Sequence, residues 1–252
     1  MMTDTLYKIY ILWLRQIKRY FRSRSRLIGS LGQPILFLVA LGYGLGPTFA
    51  KAGQGNYIQF LAPGVIAMSI LFTAIFSGIE IIWDRQFGFL KETMVAPVSR
   101  FTIMFGRSLG GATVASFQGV VVFLIAMIAG FRPELGLLLP AALFMILIAM
   151  VFTALGTAIA SMLEDMQGFQ LIMNFVVMPV FFLSGALFPL DGVPTAIRYV
   201  LYANPLFYGV DGLRGALSGL SHFSLWTDAG VLVAVSILFV GIGAWLFSRI
   251  EV

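Results

Sequence analysis

Asp84-Arg85-Gln86-Phe87-Gly88-Phe89-Leu90-Lys91-Glu92-Thr93-Met94-Val95-Ala96-Pro97-Val98-Ser99-Arg100 is a polar, basic island between two long apolar runs. Phe87, Leu90 and Met94 recur at helical spacing, so one face of a short helix is apolar while Arg85, Lys91 and Glu92 point elsewhere. Pro97 ends it, because its ring removes a donor and clashes with the preceding turn. A water-exposed helix with an uncovered apolar stripe needs a partner. The stretch reads as a docking helix for a cytosolic protein, with Asp84, Arg85, Phe87, Gly88, Phe89, Leu90, Glu92, Met94 and Pro97 as its contact residues. A turn resting on lipid headgroups fits the same pattern.

The flanking runs identify the solvent. Of 252 residues 60% are hydrophobic and 11% charged, and the mean hydropathy is +0.97. No soluble core of this length needs that much apolar surface, so the chain is read as an all-α membrane protein of one domain, 1–252. The net charge of +5 resides in basic residues scattered between apolar runs, a topology signal and not a nucleic-acid surface. Cysteine is absent and His222 stands alone, which excludes a thiol nucleophile, a disulfide and a His-pair metal site.

Crossing the hydrocarbon takes about twenty apolar residues. Six runs qualify: 27–46, 58–83, 107–130, 136–161, 169–187 and 229–248. Ahead of them, residues 1–26 place Leu6, Ile9, Tyr10, Trp13, Ile17 and Phe21 at helical spacing, with Lys8, Arg15, Lys18, Arg19 and Arg22 on the other side. That combination fits an amphipathic helix in the membrane interface, with Trp13, Arg15, Lys18, Arg19 and Arg22 at the membrane surface. Twelve Lys and Arg fall on the side of the N-terminal segment and four, Lys51, Arg132, Arg198 and Arg214, on the other. Both termini and the 84–100 segment are therefore expected in the cytosol. A basic start, an apolar run at 35–46 and Ala50-Lys51-Ala52 imitate a signal peptide. The basic region is too long for one, and no cleavage is expected.

Span centres carry no charge, so ion coupling has no residues to use and energy must come from elsewhere. Glu80 lies near the cytosolic end of the second span, where it can snorkel or pair with Arg85. Gly106, Gly110, Gly111, Ala115 and Gly119 in the third span, with Gly156 and Ala160 in the fourth, suit close helix packing within the chain or across a dimer seam. Residues 188–228 describe two half-helices too short to span, split at Asn204-Pro205. Broken helices at membrane depth need cover from protein or a cavity, and the segment is read as an outer gate.

Two motifs mislead. Gly106-Arg107-Ser108-Leu109-Gly110 matches a nucleophile elbow, but it opens an apolar helix and the lone His222 lies on the opposite side. Gly42-Tyr43-Gly44-Leu45-Gly46 lacks the spacing of a dinucleotide site, and no P-loop occurs.

At this point the chain resembles the ABC-2 type exporter permeases. The matches are Asp84 to Glu92 with Ala96 to Arg100, similar to a coupling helix; Phe182-Leu183-Ser184-Gly185-Ala186-Leu187-Phe188-Pro189-Leu190 with Pro194 and Asn204-Pro205-Leu206, similar to the outer half-helix signature; and the basic helix before the first span. The resemblance implies an outer gate at Leu183, Ser184, Gly185, Phe188, Pro189, Pro194, Asn204 and Pro205. It also implies a homodimer or a pair with a sister permease, two cytosolic ABC ATPase subunits that hold ATP and Mg, and a location in the cell membrane of a bacterium or archaeon. The drug and lipo-oligosaccharide branch is the more similar one. The segment Phe89-Leu90-Lys91-Glu92 departs from many relatives, which carry an acidic residue nearer the glycine. From another class, a membrane scaffold that binds a cytosolic protein without ATP accounts for the same docking helix.

The topology is testable directly. A cysteine replacing Arg22 should resist membrane-impermeant maleimide in intact cells and react after permeabilisation; labelling from outside contradicts the assignment.

Overall fold

The computed structural model describes residues 2–51, 56–89, 98–190 and 192–248. The chain runs α1 (Met2–Arg22), α2 (Arg24–Lys51), α3 (Tyr57–Phe76), α4 (Ile79–Gln86), α5 (Arg100–Ile128), α6 (Leu138–Met162), α7 (Met166–Phe182), α8 (Thr195–Ala203), α9 (Pro205–Ser218) and α10 (Leu225–Ser248). Among the described residues there is no strand.

Among the described residues five stretches are long and apolar enough to cross a membrane: α2, α3 with α4, α5, α6 and α10. The expected sixth, 169–187, is a shorter apolar helix. Pro179 explains part of the difference. It has no N–H for the carbonyl of Phe175, and the helix widens to a π turn over Met173–Val177, where the Met178 N–H reaches back to the Met173 carbonyl. Gly185, at φ +69°, then turns the chain out of the helical path, a conformation that suits a residue without a Cβ.

α3 is the centre. Every residue from Leu61 to Leu71 is buried, which is why this helix shows no amphipathic stripe. Of the apolar stretch in Tyr57–Gln86, 78% is buried, against 17% in α2 and 22% in α10. α2, α5, α6 and α9 pack around α3, and α2 and α10 offer most of their sides to lipid or to another subunit. Backbones meet where glycine allows it. A Cβ on Gly64 would strike the backbone of Ala186, and one on Gly78, at the break between α3 and α4, would strike the Gly156 carbonyl.

The glycine stripe of the third span serves contacts within the chain. Gly106 and Gly110 admit Leu12 and Gln16 of α1, Gly111 admits Ser77 and Thr153, and Gly119 admits Ile70. α1 thus lies along α5, joined by Trp13 Nε1 donating to Thr113 Oγ1 at 3.0 Å, the Tyr20 hydroxyl donating to Gln118 Oε1 at 2.9 Å, and the Phe21 and Phe117 rings 5.2 Å apart. Its other side exposes Leu6, Tyr7, Tyr10 and Ile11.

Close packing at Gly156 has a measurable cost. A Cβ there would sit 2.7 Å from both Cα and the carbonyl oxygen of Ile75. Gly156→Val should lower stability by about 1–3 kcal/mol, read as thermal unfolding in detergent. Gly44→Ala, in open space within α2, should not lower it.

Candidate functional site

Glu80 and Asp84 stand one turn apart on α4, so both carboxylates leave the same face. That face is turned inward: Asp84 is 2% exposed and Glu80 3%. Carboxylates buried without partners would cost several kcal/mol each, and each is supplied with cations from other helices. Arg107 of α5, itself buried, donates to Asp84 Oδ2 at 2.5 Å. Arg15 and Arg19 of α1, four residues apart, both donate to Asp84 Oδ1 at 3.2 Å. Arg26 of α2 donates to Glu80 Oε1 at 3.0 Å, and Arg19 lies 3.6 Å from its other oxygen. The Trp83 ring lies 5.8 Å from the Arg19 guanidinium and 5.5 Å from that of Arg26, within range of a cation–π attraction. One cluster therefore ties α1, α2, α4 and α5 together.

The expected docking residues are divided by this arrangement. Asp84 belongs to the buried cluster. Arg85 turns away and donates to the carbonyls of Leu163 at 2.8 Å and Ser161 at 3.0 Å, closing the C-terminal end of α6. The anticipated Glu80–Arg85 pair is replaced by Glu80 with Arg26 and Arg19, because Arg85 points to the opposite side of α4. Phe87 and Phe89 are exposed, and Gly88 turns the chain at φ +77°. Leu90, Glu92, Met94 and Pro97 lie outside the described residues. Of the membrane-surface set, Trp13 binds α5 and Arg15 and Arg19 bind Asp84, while Lys18 and Arg22 remain exposed.

Above the cluster is a cavity of about 440 Å³ walled by α1, α2, α3 and α5. Phe72 and Phe76 supply apolar wall, and Tyr20, Trp83 and the Arg26–Glu80 pair supply a polar end. An apolar chamber with one charged end suits an amphipathic molecule.

Of the residues expected at an outer gate, Asn204 reaches across from the start of α9 to the end of α7. Asn204 Nδ2 donates to the carbonyls of Val180 and Leu183, each at 2.6 Å, while its Oδ1 accepts from the Leu206 N–H at 2.9 Å and caps α9. Pro205 follows as the first residue of α9 and Pro194 immediately precedes α8, positions that a proline's fixed φ favours. Ser184 is buried and donates to the Phe181 carbonyl. Phe188 and Pro189 are half-buried on the turn that follows.

Two buried charges behind this turn were not among the expected site residues. Arg214 donates to the Gly185 carbonyl at 3.0 Å and covers the Phe60 ring at 4.0 Å. Burial pushes its pKa down to about 10, opposed by Asp211, so it stays charged at neutral pH. Asp211 accepts from the N–H groups of His222 and Phe223 at 2.8–2.9 Å. Their signal in the sequence was a lone acid and a lone base three residues apart in an apolar helix. Arg107 had the same kind of signal. The false nucleophile Ser108 is buried inside α5, and His222 faces Tyr202 instead. Among the described residues no His, Cys, Asp and Glu group could hold a metal.

The family model described as ABC-2 type transporter matches residues 7–218. Nodulation protein J of Rhizobium leguminosarum bv. viciae is 28% identical over 87% of this chain and 87% of its own length. A second Nodulation protein J, from Rhizobium leguminosarum bv. trifolii, is 29% identical over 88% of this chain and 83% of its own. The inner membrane transport permease YadH of Escherichia coli (strain K12) is 26% identical over 90% of both.

Removing Asp84 alone should be far worse than removing both partners of the buried pair. Asp84→Leu should cost about 3–5 kcal/mol, since it strands the buried Arg107, and Arg107→Leu less, because Asp84 keeps Arg15 and Arg19. The double variant should recover part of that loss in thermal unfolding. Additive losses would mean that the two groups do not act as a pair.

Proposed function

The chain belongs to the ABC-2 type transporter family, and from that premise we propose that this membrane transport permease is the transmembrane subunit of an ATP-driven exporter. It works with two cytosolic ABC ATPase subunits, which hold ATP and Mg, and with a second permease, a copy of itself or a sister chain. It resides in the cell membrane of a bacterium or archaeon with both termini in the cytosol. The cargo is an amphipathic drug, a lipid or a lipid-linked oligosaccharide, taken from the cytosol or inner leaflet. The family match carries this reading.

Three structural observations support it. The segment that opens at Asp84 is rooted in the charge cluster, so a pull on that segment is felt at once by α1 and α5. The 440 Å³ cavity has the apolar wall and charged end that an amphipath requires. α2 exposes Ile28, Leu36, Val39 and Tyr43, a surface for lipid or a second permease. The half-helices α8 and α9, fastened by Asn204 to the end of α7, form the outer gate, and the mouth between the two permeases opens there when the ATPases close.

The test is purification of the tagged chain with the proteins encoded beside it. A stoichiometric P-loop subunit with vanadate-sensitive ATP hydrolysis is expected, and Phe89→Ala or Glu92→Ala should reduce export several-fold with membrane insertion unchanged. A solitary chain, or a partner indifferent to ATP, would favour the scaffold reading.

A further inference from the structure

On the side of α1 away from the cavity is a second groove, about 650 Å³, lined by Ile11, Leu14, Arg15, Lys18, Arg19, Arg22, Asp84 and Phe89. Among the described residues four cations line it against one carboxylate, and that carboxylate is already bonded to Arg107 from behind. Arg15 and Arg19 are held in place by Asp84, whereas Lys18 and Arg22 are exposed and occur in none of the ion pairs among the described residues. The other wall is apolar, made by Ile11, Leu14 and Phe89, and the same helix exposes Leu6, Tyr7 and Tyr10 beside it.

We propose that this groove is a binding site for one anionic phospholipid of the cytosolic leaflet, its phosphate held by Lys18 and Arg22 and its chains laid along Ile11 and Leu14. Guanidinium and ammonium groups pair strongly with phosphate, the guanidinium in a bidentate fork. The excess of cations selects an anion, and the apolar wall selects one that carries hydrocarbon; free phosphate would leave that wall uncovered. A zwitterionic headgroup brings its own cation into a site already rich in them. The site shares Asp84 and Phe89 with the root of the docking segment, so its occupancy bears on the same junction. This inference needs only that the chain is a membrane protein, and it stands or falls separately from the ATP-driven reading.

The experiment uses the full chain purified alone in mild detergent. Phosphatidylglycerol, phosphatidylcholine and inorganic phosphate are titrated separately, with thermal unfolding and native mass spectrometry as readouts. Phosphatidylglycerol at saturation should raise the unfolding temperature by roughly 5 °C and appear as one retained lipid. The double variant Lys18→Gln, Arg22→Gln should bind it at least about tenfold more weakly, at an unchanged lipid-free unfolding temperature. Arg198→Gln, exposed elsewhere, should bind normally. Equal retention of phosphatidylcholine, or full retention by the double variant, would overturn the site. Displacement of phosphatidylglycerol by inorganic phosphate would also overturn it as a lipid site.

Discussion

The Asp84 carboxylate is the constraint around which one end of the bundle is arranged. A carboxylate 2% exposed beneath an apolar bundle is tolerable only with its charge answered locally, and the answer comes from Arg107 on one side and Arg15 and Arg19 on the other. Meeting that demand brings α1 back along α5, which in turn requires small residues at Gly106 and Gly110. The charge pairing and the glycine spacing are thus one solution.

At the opposite end the controlling element is a neutral amide. Helix α7 ends with carbonyls that have no partner within the helix, and α9 begins with N–H groups in the same position. Asn204 serves both ends: its Nδ2 meets Val180 and Leu183 and its Oδ1 meets Leu206. The Leu-Ser-Gly and Asn-Pro-Leu motifs, about twenty residues apart in sequence, are therefore two halves of one joint. Arg214 fixes the intervening turn at Gly185.

Hydropathy made the spans legible, and helical periodicity made α1 legible, because both are local properties of consecutive residues. What lay beyond reach was pairing between distant segments. Asp84 adjoins Arg85 in a basic island, and in sequence the nearer cation is the obvious partner; the actual donors are 65 and 69 residues upstream and 23 downstream. Arg107 read as a loop charge because the third span was begun at that residue, whereas α5 starts at Arg100 and carries it inside. The break into two short helices, α8 and α9, was visible through Pro194, Asn204 and Pro205. The shortness of α7 was not, although Pro179 within the apolar run was a usable sign of it.

That short helix also bears on how a membrane meets this flank. Seventeen residues at about 1.5 Å each reach roughly 26 Å, against a hydrocarbon thickness of about 30 Å, and its π turn does nothing to lengthen it. Leu171, Phe175 and Val176 are exposed along it. Were α7 to cross a bilayer, the membrane on that flank would have to thin, or the residues flanking the helix snorkel, to match it.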